Sequence, residues 1–151
     1  MGLAVPASRV KIPFFTSISI VISKNDKLKK GYSHFMSEII TLKKSLENSI
    51  NSKSCFAIFD ELFSSTNTED SESILPLTLD GLTKYKSSFF IVSSHHQCLK
   101  NYQNSTMLKL YFEVKIIQGE PVYTYKLREG WSDLKLGFHL FKKMGLKNLL
   151  E

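Results

Sequence analysis

A chain of 151 residues with 42% hydrophobic and 23% charged side chains has the size and balance of one globular domain. Such a chain can bury about 68–70% of the surface its unfolded form exposes. Its apolar runs are too short to span a bilayer, and Met1-Gly2-Leu3-Ala4-Val5-Pro6 has neither the basic start nor the long apolar region of a secretory signal, so an intracellular location without membrane contact is expected. The formal charge of +6 permits an anionic partner, but the lysines are dispersed, the densest groups being Lys24, Lys27, Lys29, Lys30 and Lys142, Lys143, Lys147. A solvated surface explains most of them, because phosphate contact needs cations clustered on one face. The two cysteines, Cys55 and Cys98, do not make a disulfide framework.

Residues 1–13 carry two prolines and no period, which predicts extended connection. Phe14–Ser23 is rich in β-branched residues, with Ile18, Ile20 and Ile22 on one face, and reads as a strand. A lysine-rich loop, Lys24 to Gly31, leads into an amphipathic helix over about Ser33–Ser49, where Phe35, Ile39, Leu42, Leu46 and Ile50 recur at helical spacing. Cys55–Asp60 is a short apolar run without alternation, as expected of a parallel strand covered on both faces. A loop of Ser, Thr and Asn precedes a second helix over about Glu69–Lys84, with Ile74, Leu75, Leu79 and Leu82 inward and Pro76 predicting a bend or a delayed start. Ser88–Ser93 is a third apolar strand. Alternation over Leu108–Ile116 marks an antiparallel strand with one wet face, turning through Gln118-Gly119-Glu120-Pro121 into Val122–Leu127. The last predicted helix has Ser132 as N-cap, Leu134, Phe138, Leu140, Phe141 and Met144 as its apolar side, and Gly145 as C-cap.

Two of the apolar strands end on residues suited to chemistry. Asp60-Glu61 follows the first and Ser94-His95 the second. Ligands collect at the carboxyl ends of strands in open α/β sheets. An acidic pair there has the form of a Walker B element, in which one carboxylate helps hold Mg²⁺ and the next orients the attacking water. The plainer reading of the acidic pair is a strand meeting solvent, and of Ser33, Asn67, Thr68 and His95 an N-cap, turn residues and a strand-end polar group. A metal-dependent hydrolase built on His95, His96 and Cys98 is a poor alternative, because adjacent histidines project differently and nothing nearby completes a tetrahedral set.

The order acidic pair, helix, strand, Ser-His resembles the C-terminal ATPase domain of the MutS family of DNA mismatch-repair proteins. Val5-Pro6-Ala7 and Ile12-Pro13 resemble the segment after the nucleotide-binding helix, and Asp26 through Glu38, with Gly31, Ser33, Phe35 and Glu38 in place, resembles the family's signature-like loop and helix start. Asp60 through Asn67 resembles its Walker B and D-loop, Ser94-His95 its Thr-His switch, and Tyr125-Lys126-Leu127 through Gly130 and Ser132 to Gly137 its closing hairpin and helix. The resemblance covers nearly the whole chain. It implies an α/β fold of the P-loop NTPase-like, ABC-type kind: a layered sheet with flanking helices and a C-terminal β-hairpin. It implies ATP and Mg²⁺ as cofactors, with Asp60 a carboxylate serving Mg²⁺, Glu61 polarising water, His95 and Ser94 at the γ-phosphate, and Ser33, Asn67 and Thr68 acting on nucleotide held by a second MutS-type ATPase domain. DNA would be reached through other parts of the family protein.

The departures are equally specific. No Gly-x-x-x-x-Gly-Lys-Ser/Thr occurs in the 151 residues, Ser65 stands where that loop usually has glycine, and His96 adds a second imidazole. The resemblance therefore implies one partial domain over residues 1–151, its first strand and P-loop missing. Two functions compete: a DNA mismatch-repair ATPase domain of negligible activity alone, and a catalytically inactive dimerisation module.

Overall fold

The computed structural model describes residues 7–22, 34–51 and 54–150. The expected loop Lys24 to Gly31, with Ser33, lies outside the described residues. The chain divides into two compact units, Met1–Gln103 and Asn104–Glu151.

In the first unit, β1 (Ser17–Ile22), β2 (Cys55–Asp60) and β3 (Phe89–Val92) form a parallel sheet in the order β1-β2-β3. The expected strand at Phe14 begins later, because the chain is first tied by Thr16 N–H to the Ser54 carbonyl at 3.0 Å. Pairing places Ser17 with Cys55, Ser19 with Ala57 and Phe90, and Val21 with Phe59 and Val92 on one face. Cys55, Ala57 and Phe59 are fully buried there. The opposite face carries the rows Ile18, Phe56, Phe89 and Ile20, Ile58, Ile91. Its members Ile18, Ile20, Phe89 and Ile91 are exposed, while Phe15 stacks on Phe56 at 5.3 Å. The second face is apolar as well, through the isoleucines of β1 and the unalternating runs of β2 and β3, and among the described residues it is covered only in part, where cover on both faces of β2 was expected.

α1 (His34–Asn51) packs on the sheet with a face other than the one expected. Leu42 is buried, but so are Ser45 and Ser49, while Ile50 is exposed. Small side chains let the helix approach the strands closely, and their hydroxyls find partners as they do so. Ser45 Oγ donates to the Thr41 carbonyl at 3.0 Å and accepts from Ser19 Oγ at 2.6 Å, and Ser49 Oγ donates to the Ser45 carbonyl at 2.9 Å. α2 (Thr68–Leu82) buries Ser71, Leu75, Leu79 and Leu82. Its start is not delayed. Asn67 caps it, accepting from Asp70 N–H at 2.8 Å and donating to the Asp70 carboxylate at 2.7 Å, and the helix runs through Pro76. A good cap satisfies orphan N–H groups at the first turn, which offsets the hydrogen bond that the proline removes further on. A 3₁₀ turn, Gln97–Lys100, follows β3.

The second unit is a hairpin of β4 (Leu110–Ile117) and β5 (Glu120–Glu129), then α3 (Leu136–Lys143) and α4 (Leu146–Leu150). The turn is tighter than expected. Gln118 (φ 51°) and Gly119 (φ 79°) alone connect the strands, and Glu120 and Pro121 already pair with Ile117 and Ile116. Two consecutive positive φ values match the right-handed twist of the flanking strands. The register shifts between Phe112 and Val114. The apolar face is open where a covered one was expected: Leu108, Phe112 and Leu127 are exposed. Ser132 is not the N-cap. Lys135 precedes the helix without a side-chain bond, and Ser132 Oγ instead accepts the Leu134 N–H at 3.4 Å in the preceding turn. Gly145, at φ 72°, ends α3 as expected and divides the apolar positions between two short helices. His139 Nε2 donates to the Gly119 carbonyl at 2.9 Å and Lys143 pairs with Glu120, so α3 is fastened to the hairpin turn. No helix among the described residues is long and apolar enough to cross a membrane.

Candidate functional site

Parallel pairing of β2 with β3 brings their carboxyl ends side by side, so Asp60 and Glu61 meet the residues that follow Val92. Ser93 N–H bonds the Phe59 carbonyl at 2.9 Å, which extends the ladder by one residue and aims the Ser93 hydroxyl at the acidic pair. That hydroxyl donates to Asp60 Oδ1 at 2.6 Å, and Ser93 Oγ in turn accepts the Glu61 N–H at 2.9 Å. One serine thereby orients a carboxylate and anchors the backbone beside it.

Glu61 is held at φ 52° and Phe63 at φ 63°, a left-handed conformation that costs side-chain-bearing residues about 1–3 kcal/mol. The surroundings impose it. Leu62 and Phe63 are buried, Phe63 meets Phe35 edge-on at 6.2 Å, and Ser64 N–H closes the turn onto the Glu61 carbonyl at 3.1 Å. Burial of Leu62 and Phe63 leaves the Glu61 side chain outward, where its carboxylate accepts from His95 Nδ1. The His95 side chain is 69% exposed, and the Glu61 side chain 42%. His95 also stacks on His96, centroids 5.1 Å apart and planes 16° from parallel. His96 Nδ1 lies 3.1 Å from Ser71 Oγ in the first turns of α2.

The predicted residues are therefore brought together unevenly. Asp60, Glu61 and His95 share one end of the sheet. Ser94 is beside them but turns inward on its own loop, its Oγ accepting the His96 N–H at 3.2 Å. Asn67 is committed as the cap of α2, and Thr68, its first residue, is exposed. Ser33 lies outside the described residues. Sequence reasoning missed Ser93 and Ser71; a hydroxyl just before the Ser-His pair was the available signal for the first, and only the packing of α2 reveals the second. Cys98 takes no part. Burial pushes its thiol up from the ordinary cysteine range, and the Glu72 charge adds to this.

Mg²⁺ commonly takes one or two protein carboxylates together with substrate phosphates. An exposed Asp60 with one oxygen fixed by Ser93 fits that shared role. Among the described residues no three or more His, Cys, Asp or Glu side chains gather to hold a metal ion by themselves. His95 and His96 are directed to Glu61 and Ser71.

Comparison with known proteins bears on the whole chain. The family profile described as MutS domain V matches residues 1–150. The chain is 27% identical to DNA mismatch repair protein MutS of Macrococcus caseolyticus over 144 residues, covering 94% of this chain and 17% of that protein. It is 28% identical to the protein of the same name from Chlamydia abortus over 149 residues, covering 96% and 18%. For that of Streptococcus sanguinis the identity is 27% over 154 residues, covering 100% and 18%. The chain thus spans about a sixth of the length of the curated relatives it matches. A match over residues 1–150, with the acidic pair and His95 meeting at one end of a parallel sheet, means that the chain belongs to the MutS domain V family.

Proposed function

We propose that this chain is a nucleotide-responsive, ABC-type ATPase segment of a MutS-family protein, working inside the cell in DNA mismatch repair or a related DNA transaction. The observation that supports the reading is the contact of Glu61 with His95 beside the Ser93-bound Asp60, which gathers two carboxylates and an imidazole at one strand end. Asp60 would serve Mg²⁺, which when bound to ATP neutralises phosphate charge. Glu61 would orient the attacking water as it leaves His95. His95 would hydrogen-bond the γ-phosphate, with Ser94 beside it. Ser33, Asn67 and Thr68 would act on nucleotide held by a second MutS-type ATPase domain, and DNA would be engaged through other parts of the family protein.

A second reading is a dimerisation module without turnover; these 151 residues by themselves hold no Gly-x-x-x-x-Gly-Lys-Ser/Thr to cradle phosphate. Phosphate positioning and charge neutralisation supply nearly all catalysis in phosphoryl transfer. The purified chain alone should therefore bind Mg·ATP weakly and release negligible phosphate. Mixed with an intact MutS-type ATPase domain, it should form a heterodimer that ATP strengthens and Ser33→Ala weakens. Sizing the mixture with and without ATP tests this. Robust Glu61-dependent turnover by the chain alone would overturn the second reading, and a mixture indifferent to ATP and to Ser33 would overturn the first.

A further inference from the structure

We propose that His96 is a positioning residue that stacks on His95 and fastens it, through Ser71, to the first turns of α2. The inference rests on the nucleotide reading of the strand-end site for its purpose, but not for its geometry. Ser71 is fully buried, and its single hydroxyl proton goes to the Thr68 carbonyl at 2.8 Å. With that proton on Thr68, the shorter of the two contacts, the 3.1 Å contact between Ser71 Oγ and His96 Nδ1 takes its proton from the imidazole in the arrangement proposed. His96 is consequently an Nδ1–H tautomer, and its Nε2 is a buried acceptor with no hydrogen-bond partner. An unsatisfied ring nitrogen is a cost that a merely space-filling side chain would avoid. The tautomer is set by the bond the other nitrogen makes.

The result is a continuous connection. Glu61 accepts from His95, His95 stacks on His96, His96 donates to Ser71, and Ser71 donates to Thr68, next to the Asn67 cap. A displacement of the His95 ring, as on exchanging Glu61 for a phosphate, disturbs its stack on His96 unless the start of α2 moves with it. His96 thus couples the strand-end site to the Asn67 and Thr68 segment, a link for which Asp60, Glu61 and His95 by themselves provide no side chain.

The test is long-range ¹H–¹⁵N spectroscopy of the imidazoles in the full 151-residue chain at a pH where they are neutral. His96 should be almost wholly Nδ1–H, the reverse of free imidazole in water. In Ser71→Ala that form should fall to a minority and the His95 ring signals should move. His96→Asn keeps a donor near Nδ1 and His96→Phe keeps the stacking plane, and each should restore only part of the native His95 pattern. A predominantly Nε2–H His96 in the native chain overturns the proposal even if every variant fails to fold, as do His95 signals unmoved in folded Ser71→Ala and His96→Phe. Titration with Mg·ATP separates the underlying reading: a native tautomer with no response of His95 to nucleotide overturns the nucleotide role and leaves the coupling standing.

Discussion

Ser93 on β3 and Asp60 on β2 are joined across the end of the sheet by a 2.6 Å hydrogen bond in which the hydroxyl donates to the carboxylate. Ser93 Oγ also receives the Glu61 N–H at 2.9 Å, so one small side chain fixes both the aspartate and a left-handed backbone. Ser93→Ala removes both bonds and leaves a part-buried amide without its acceptor. A loss of about 1–2 kcal/mol in denaturant-measured stability is expected. Ser94→Ala, which deletes only a local bond to the His96 amide, should cost clearly less; equal losses would mean that Ser93 has no special place.

The conformation of Glu61 gives a second expectation. Asn tolerates positive φ better than most residues and a β-branched side chain tolerates it worst. Glu61→Asn should match or exceed the native chain in stability, whereas Glu61→Val should lose about 1–2 kcal/mol. Thermal melts of the two variants, compared at one pH, check the ordering.

For α2, the Asn67 side chain both accepts from the Asp70 amide and donates to its carboxylate. Asn67→Ala should destabilise by about 1 kcal/mol. Thr68→Ala, at an exposed first helical position, should change stability by less than about 0.5 kcal/mol. A chemical-denaturation series on the two variants distinguishes them.

In the second unit, Glu113 titrates below the ordinary glutamate range. Desolvation is the largest single influence and pushes it up, but hydrogen bonds from Thr124 and Arg128 and the charges of Arg128 and Lys115 together outweigh it. A carboxylate with a depressed folded-state value stabilises the fold above its unfolded range, and that contribution is lost as pH falls through the folded-state value. Lowering the pH below the ordinary glutamate range should therefore weaken the hairpin. Glu113→Gln should flatten that dependence in melts recorded across the acid range.

Periodicity and punctuation carried much of the architecture. β-Branched residues at a period of two located β1, short apolar runs located β2 and β3, alternation located the hairpin, and the 3.6-residue rhythm located α1 and α2. What periodicity could not show was which side of α1 faces the sheet. Leu42 satisfies either choice, and the packing selected Ser45 and Ser49 because their small side chains allow close approach to Ser19 and Ala57. Caps were legible only in part: a consensus cap type at Ser132 was overruled by its turn, while Asn67 looked like any loop residue until its bond to Asp70 was seen. At the site, strand ends marked Asp60, Glu61 and His95, but Ser93 and Ser71 enter only through pairing and helix placement. Such contacts are set by three-dimensional register, which a single sequence does not encode locally.

The partly covered rows Ile18, Phe56, Phe89 and Ile20, Ile58, Ile91, of which Ile18, Ile20, Phe89 and Ile91 are exposed, also bear on the calorimetry of the chain. Apolar surface already in contact with water before unfolding contributes nothing new when the chain opens, and the heat-capacity increment scales with surface newly hydrated. Unfolding should therefore show an increment below the usual ~12–15 cal/mol/K per residue, with a correspondingly shallow denaturant slope. A stability curve flattened in this way changes little between the cold and the warm side of its maximum. The quantity to follow is its curvature, which should steepen when a partner covers Ile18, Ile20 and Ile91.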